Sequence, residues 1–336
     1  MEIEVLVIGG GAVGLSCAYE LARRGRQVML LERHERLGEE ASTHNSGVIH
    51  AGIPYEPGSN KAVLCVHGRE LLYRRLYAWD VPHRRCGKII VASAPDEITR
   101  LEALFDNARR NGVDDLSLID GAAIRAREPH VVGTAAMLSP STGVFDAGAF
   151  VRALETQALA AGVTIVPRAA VTAIERHDEA VGVSTDMLGS ISARAVVNAA
   201  GLFADEIAAM SGESGHHIYP CRGEYAAVIP SKADLVNTLV YPLPGKIGLG
   251  VHFTRTVHGE LWLGPDAHYI ESKTDYESNR RPVEEFAEAA RRLCPAITAD
   301  DLRLGPSGIR ASATARTNRS RISTLTRSAT TRASFI

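Results

Sequence analysis

Apolar residues fall first into an unbroken block, EVLVI at 4–8, and then into a three- and four-residue spacing, Val13, Cys17, Ala18 and Leu21. The block suits a strand covered on both faces, and the spacing suits one face of a helix. Gly25 closes the helical pattern, and QVMLLE at 27–32 supplies a second strand. The start of the chain therefore predicts a strand-helix-strand unit. Further on, GVTIVPRAAVTAIER at 162–176 reads as two short strands, and AVVNAAGLFAD at 195–205 as a buried strand, a glycine turn and a helix start. Residues 96–111 and 283–294 carry apolar positions at helical spacing with charged outer faces, which predicts two amphipathic helices.

Composition narrows the class. A chain of 336 residues with 45% hydrophobic and 23% charged residues has room for two domains with substantial cores. A formal net charge of −2 gives no general attraction to nucleic acid or to an anionic membrane, so no nucleic-acid partner is expected. No apolar run approaches the ~18 residues of a spanning helix. Residues 3–18 lack a basic leader and hold a glycine cluster, which argues against a signal peptide and leaves the cytoplasm as the expected location. The five cysteines show no CxxC spacing and read as reduced thiols. His216 and His217 are adjacent, so their side chains do not converge, and no metal is expected. No hydrolase motif stands in its required context.

The glycines carry the first chemical signal. Gly9, Gly11 and Gly14 form GxGxxG, with Ala12 and Val13 inside it, immediately after a strand and at the start of a helix. In such a turn the first glycine permits the bend, the second lets backbone approach a pyrophosphate, and the third lets helix pack on strand. Glu32, followed by Arg33, ends the second strand, where a carboxylate can accept hydrogen bonds from ribose hydroxyls. That carboxylate disfavours the 2′-phosphate of NADP, and the unit alone leaves NAD and FAD open.

Later motifs separate the two. THNSGVIHAGIPYEPGSNKAVLCVHG at 43–68 is followed in order by CGKIIVA at 86–92, SPSTGVFD at 139–146, YPLPGKIGLGVHFT at 241–254, LWLGPDA at 261–267 and GPSGIR at 305–310. This series, covering residues 1 to about 310, resembles the D-amino-acid-oxidase (DAO) family of FAD-dependent oxidoreductases, and within it the L-2-hydroxyglutarate oxidase and dehydrogenase branch. The resemblance implies an α/β fold: a discontinuous, glutathione-reductase-like, doubly wound FAD-binding domain and a β-sheet-rich α+β substrate domain. The expected FAD-binding segments are 1–80, 145–215 and 300–310, and the substrate-domain segments are 81–144 and 216–299. It places Val171 near the adenine side and Ala200 and Gly201 in a second glycine turn.

The implied reaction is FAD-dependent oxidation of an L-2-hydroxy acid, L-2-hydroxyglutarate to 2-oxoglutarate, with oxygen or a quinone pool as electron acceptor. A quinone would bring peripheral contact with the inner face of a membrane. Related enzymes oxidise amino acids on the same scaffold, so an amino-acid substrate stays open. Such chemistry needs a hydride acceptor, a base for the hydroxyl proton, and donors for the carboxylates. Asn45, Ser46 and Gly47 form a small polar turn suited to close approach of the flavin, or a plain loop. By resemblance His50 and Tyr55 lie toward the substrate. His252 belongs by resemblance to the sheet over the flavin, where an imidazole could accept the proton or only orient the substrate. Arg310 matches the arginine that pairs with a substrate carboxylate, a role suited to two parallel hydrogen bonds. Arg222 and Tyr225, in PCRGEY, resemble the start of a second substrate-domain segment, with Tyr225 a candidate hydrogen-bond donor.

Residues 311–336 differ from what precedes them. They hold five Arg, eleven Ser or Thr and no Asp or Glu, and sustain no period of 2 or 3.6, so neither a packed strand nor a helix is expected. The stretch reads as a divergent, disordered tail. A shifted reading frame or a truncated gene, leaving a non-catalytic remnant of the family, is the alternative reading of the chain, and a basic arm is a further reading of the tail.

Overall fold

Strand Glu2–Ile8 is the centre of a sheet because its residues are apolar toward both sides. Val5 and Val7 face helix Ala12–Arg23 and helix Ala147–Ala160, whereas Leu6 and Ile8 face the opposite core with Ile207 and Ala208. Each large aliphatic side chain buried in this way stabilises the fold by about 1.5–3 kcal/mol. The computed structural model describes residues 2–245, 250–313 and 334–335.

In this sheet Glu2–Ile8 pairs in parallel with Val28–Leu31 on one side and Gly189–Asn198 on the other. Thr164–Val166 extends it beyond Val28–Leu31. An antiparallel meander of Val171–Arg176, Val181–Thr185 and Gly189–Asn198 completes it. With a helix between parallel neighbours and apolar layers on both faces, this is the doubly wound, glutathione-reductase-like arrangement.

The second sheet has nine strands. Lys88–Ala92 runs parallel to Leu239–Pro242 and antiparallel to Ala135–Ser139, and Tyr219–Val228 pairs along its length with Leu302–Ser312. Helix Val283–Arg291 packs Phe286, Ala287 and Ala290 on one face, and helix Ile98–Arg110 packs Leu101 and Ala108 on the other. A small sheet pairs Val48–Ile49 with Gly143–Phe145, which fixes the end of the His44–Gly47 turn against the SPSTGVFD segment.

Two differences from the sequence reading follow from pairing. Residues 300–310 were grouped with the nucleotide-binding segments, but Leu302–Ser312 is a strand of the nine-stranded sheet, because its backbone groups are satisfied by Tyr219–Val228. That strand also carries Ala311 and Ser312, and Ser334–Phe335 lies parallel to Ala195 and Val196 at the doubly wound sheet. Strand pairing therefore occurs in a stretch whose residue pattern shows no strand period. The rest of the 311–336 segment, 314–333 and 336, lies outside the described residues, and so does the expectation that it is disordered.

Candidate active site

The glycine motif forms a cradle that a side chain would fill. Gly9 has φ +108°, and a Cβ there would overlap the Ala199 carbonyl. A Cβ on Gly14 would overlap the carbonyl oxygen of Gly9. Helix Ala12–Arg23 starts at Gly11 with no side-chain cap, and Ser42 Oγ accepts from the Ala12 N–H at 2.9 Å. Val13, on the first turn, is 69% exposed, which leaves the helix N-terminus open to an anionic ligand.

Glu32 is buried at the end of its strand. Its carboxylate accepts from Gly10 N at 2.7 Å and from His34 N at 2.8 Å. A carboxylate has about four acceptor sites, so two stay free for ribose hydroxyls. Arg168 N and Ala169 N donate to His34 O and Glu32 O, which puts the segment leading into Val171 beside the same strand end. Ala199 N donates to Ile8 O and holds the Ala200–Gly201 turn against Gly9. Gly9, Gly11, Ala12, Val13, Gly14 and Glu32 thus lie at adjoining strand ends, with the Ala200–Gly201 turn against Gly9 and the segment leading into Val171 beside Glu32. Arg33 pairs with Glu40 and stacks 3.7 Å over the ring of Phe203, which ends the Gly201–Phe203 turn. These residues fit the dinucleotide half of FAD.

The second half of the site is built at the nine-stranded sheet. Asn45 is a local staple: its Oδ1 accepts from Gly47 N at 2.8 Å and its Nδ2 donates to Ser42 O at 2.9 Å. Gly47 has φ +63°. Ser46 hydrogen-bonds the buried Tyr225 phenol, and burial raises that phenol's pKa while the Arg310 charge opposes the rise. Arg310 also bears on Tyr55, whose pKa is pushed up to about 12 chiefly by burial, and on Lys61, which sits 4.7 Å from the Tyr55 ring. Among the described residues no carboxylate pairs with Arg310, whose Nη2 lies 3.7 Å from Cys221 Sγ. The structure thus brings Ser46, Tyr55, Tyr225 and Arg310 together.

His252 is buried, donates through Nδ1 to Gly250 O at 2.7 Å, and has a pKa lowered to about 3, chiefly by burial. His50 is lowered to about 3 for the same principal reason, with Lys88 and Lys61 adding to it. Both rings are therefore neutral near pH 7, and each keeps one nitrogen lone pair. Arg222 does not join this group. It is buried, donates from Nε to Glu224 at 2.9 Å and from Nη1 to Asp275 O at 3.1 Å, and ties a loop to its strand.

Sequence reading passed over Lys88, Lys61 and Ser42. Lys88 begins an apolar strand, and a charged residue in register with inward-facing neighbours was the signal for it. Among the described residues no group of His, Cys, Asp and Glu could hold a metal ion, and no helix is long and apolar enough to cross a membrane.

A model of the FAD dependent oxidoreductase (DAO) family matches residues 4–328. The chain belongs to this family. The match extends past residue 310, where the motif series ends, and the FAD-dependent oxidoreductase takes FAD as its cofactor. The chain is 39% identical over 275 residues to "L-2-hydroxyglutarate dehydrogenase, mitochondrial" of Caenorhabditis elegans, covering 79% of this chain and 64% of that one. It is 33% identical to the protein of the same name from Nematostella vectensis, covering 92% and 79%. The chain thus spans just under two thirds of the first relative's length. These relatives are named as mitochondrial, which overturns the expectation of a cytoplasmic protein drawn from the lack of a leader pattern. Among solved structures, the FAD-bound L-alpha-glycerophosphate oxidase of Mycoplasma pneumoniae superposes with a TM-score of 0.86 at 24% identity, covering 94% of this chain and 85% of that one, which shows the fold.

Proposed function

We propose that this FAD-dependent oxidoreductase oxidises an L-2-hydroxy acid to the 2-oxo acid, with L-2-hydroxyglutarate as the preferred substrate. The observation that carries the reading is Arg310, a guanidinium without a carboxylate partner among the described residues, set beside Tyr225, Tyr55 and the Ser46 turn. The names of the relatives from C. elegans and N. vectensis support the same substrate. Bound FAD supplies the two-electron acceptor for the hydride on the substrate's α-carbon.

The chain's own residues have three tasks. Arg310 holds the α-carboxylate through paired hydrogen bonds, with Tyr225 and Tyr55 fixing its position. His252, neutral and with its lone pair on Nε2, accepts the hydroxyl proton as the carbonyl forms. Gly9–Gly14 and Glu32 would hold the dinucleotide half of FAD. Oxygen or a quinone would serve as the final electron acceptor.

The test is turnover of FAD-loaded protein with an artificial electron acceptor, reading 2-oxoglutarate formed from L-2-hydroxyglutarate against the D enantiomer and a panel of amino acids. Product from the L-hydroxy acid alone supports the reading. Turnover of an amino acid with none of the hydroxy acid would replace it.

A further inference from the structure

Lys88 opens the strand Lys88–Ala92 and is 3% exposed. A buried ammonium with no counter-charge is costly, and proteins normally pair such a group. Arg222, the other fully buried cation among the described residues, meets Glu224 at 2.8 Å. Among the described residues no carboxylate pairs with Lys88 and no acceptor takes its hydrogen bonds, and the remaining residues include neither Asp nor Glu. Its one ring contact is the face of Tyr241, 4.7 Å from Nζ to centroid, and Tyr241 stacks in turn on His252 at 3.6 Å.

Its direction follows from the sheet. Leu239 is the register partner of Lys88 and Tyr241 of Ile90, so strand alternation puts all four on one face. That face packs against Ala51 and Ile53, in the segment that carries His50 and Tyr55. The charge of Lys88 bears on His50, His252 and Cys65, and that of Arg310 on Tyr55, Lys61 and Tyr225. Cys65 bears on both Tyr55 and Lys61, so Lys88, Lys61 and Arg310 all act on one group of side chains.

We infer that Lys88 is a substrate-binding residue whose ammonium pairs with the distal carboxylate of a dicarboxylic substrate while Arg310 holds the carboxylate next to the reacting carbon. This rests on the 2-hydroxy acid reading and adds the residue that answers the second carboxylate: a buried ammonium with no protein acceptor calls for an anion from the substrate. A monocarboxylate would leave the Lys88 charge unanswered.

The test uses glutarate and butyrate, which lack the hydroxyl and bind without turnover. Calorimetric titration of the FAD-loaded protein is compared for wild type, Lys88→Gln, Lys88→Met and Lys88→Arg, each checked for a native melting transition. A charge-assisted contact of this kind corresponds to about a 10- to 100-fold effect on affinity. Wild type is expected to favour glutarate by that factor, both neutral variants to lose the preference with butyrate binding within about threefold of wild type, and Lys88→Arg to keep most of it. Two neutral variants guard against one that does not fold. A neutral variant that retains the preference, or wild type with none, overturns the inference. Failure of the parent reading is separable: protein that favours glutarate yet oxidises no 2-hydroxy acid loses its proposed reaction and keeps its Lys88 anchor.

Discussion

His252 lies flat against Tyr241, with ring centroids 3.6 Å apart and planes 25° apart. The Gly250 carbonyl can only accept, so Nδ1 of His252 carries the proton and Nε2 keeps the lone pair. Stacking fixes the ring and the carbonyl fixes the tautomer. The ring's position and its tautomer are both held by the protein. His252→Gln is expected to lower kcat by about 10²- to 10⁴-fold, the usual effect of removing a general base, with KM changed far less. Steady-state kinetics decide it, and a kcat within threefold of wild type would reduce His252 to packing.

The same burial makes a prediction about acid stability. The folded pKa of His252 is about 3, below the ordinary value near 6.5 of an unfolded chain. Between these values the unfolded state binds the extra proton, so stability is full above about pH 6.5 and falls as pH drops toward 3. The slope from one such group approaches about 1.4 kcal/mol per pH unit. Urea unfolding of wild type and His252→Gln across pH 4–7 should show a shallower decline in the variant. Parallel curves would place the acid sensitivity elsewhere.

Glu224 organises the buried charge cluster at the edge of the site. It accepts from Arg222 Nε at 2.9 Å, Arg280 Nε at 3.0 Å and Arg281 N at 2.8 Å, with His268 at 3.2 Å. Removing one member of a buried network strands its partners, at a cost of about 3–5 kcal/mol. Glu224→Ala should therefore lower the urea midpoint strongly, and a loss below about 1 kcal/mol would show that water replaces the carboxylate.

Gly14→Ala tests the cradle. The added methyl would meet the Gly9 carbonyl oxygen, so the helix must move away from the turn that approaches the pyrophosphate. The variant is expected to purify without the yellow flavin and to regain at most a few per cent of it on incubation with FAD. Normal flavin content would move the pyrophosphate site elsewhere.

The nucleotide half was legible because every level agreed: an apolar strand, a glycine turn, a helix at 3.6 spacing and Glu32 at the next strand end. The substrate half was legible only through resemblance. Tyr225 and Arg310 are far apart in sequence and come near each other through the pairing of Tyr219–Val228 with Leu302–Ser312, which periodicity does not reveal. Lys88 was hidden by its neighbours, since one lysine at the head of IIVA looks like a strand end reaching solvent. Arg222 gave the opposite misdirection: an arginine in a conspicuous motif whose bonds all serve the fold. Ala311 and Ser312 extend a strand because Pro220 and Tyr219 supply the partner backbone, a long-range cause that the local composition does not record.

The central claim is that this chain, holding FAD, takes a hydride from L-2-hydroxyglutarate with Arg310 gripping the α-carboxylate. Anaerobic mixing of FAD-loaded protein with L-2-hydroxyglutarate, followed at the long-wavelength flavin band, tests it most directly. The expected result is bleaching of one flavin per protein with formation of one 2-oxoglutarate, slowed by at least tenfold in Arg310→Met. Flavin that stays oxidised in the wild-type protein at saturating substrate would contradict the account.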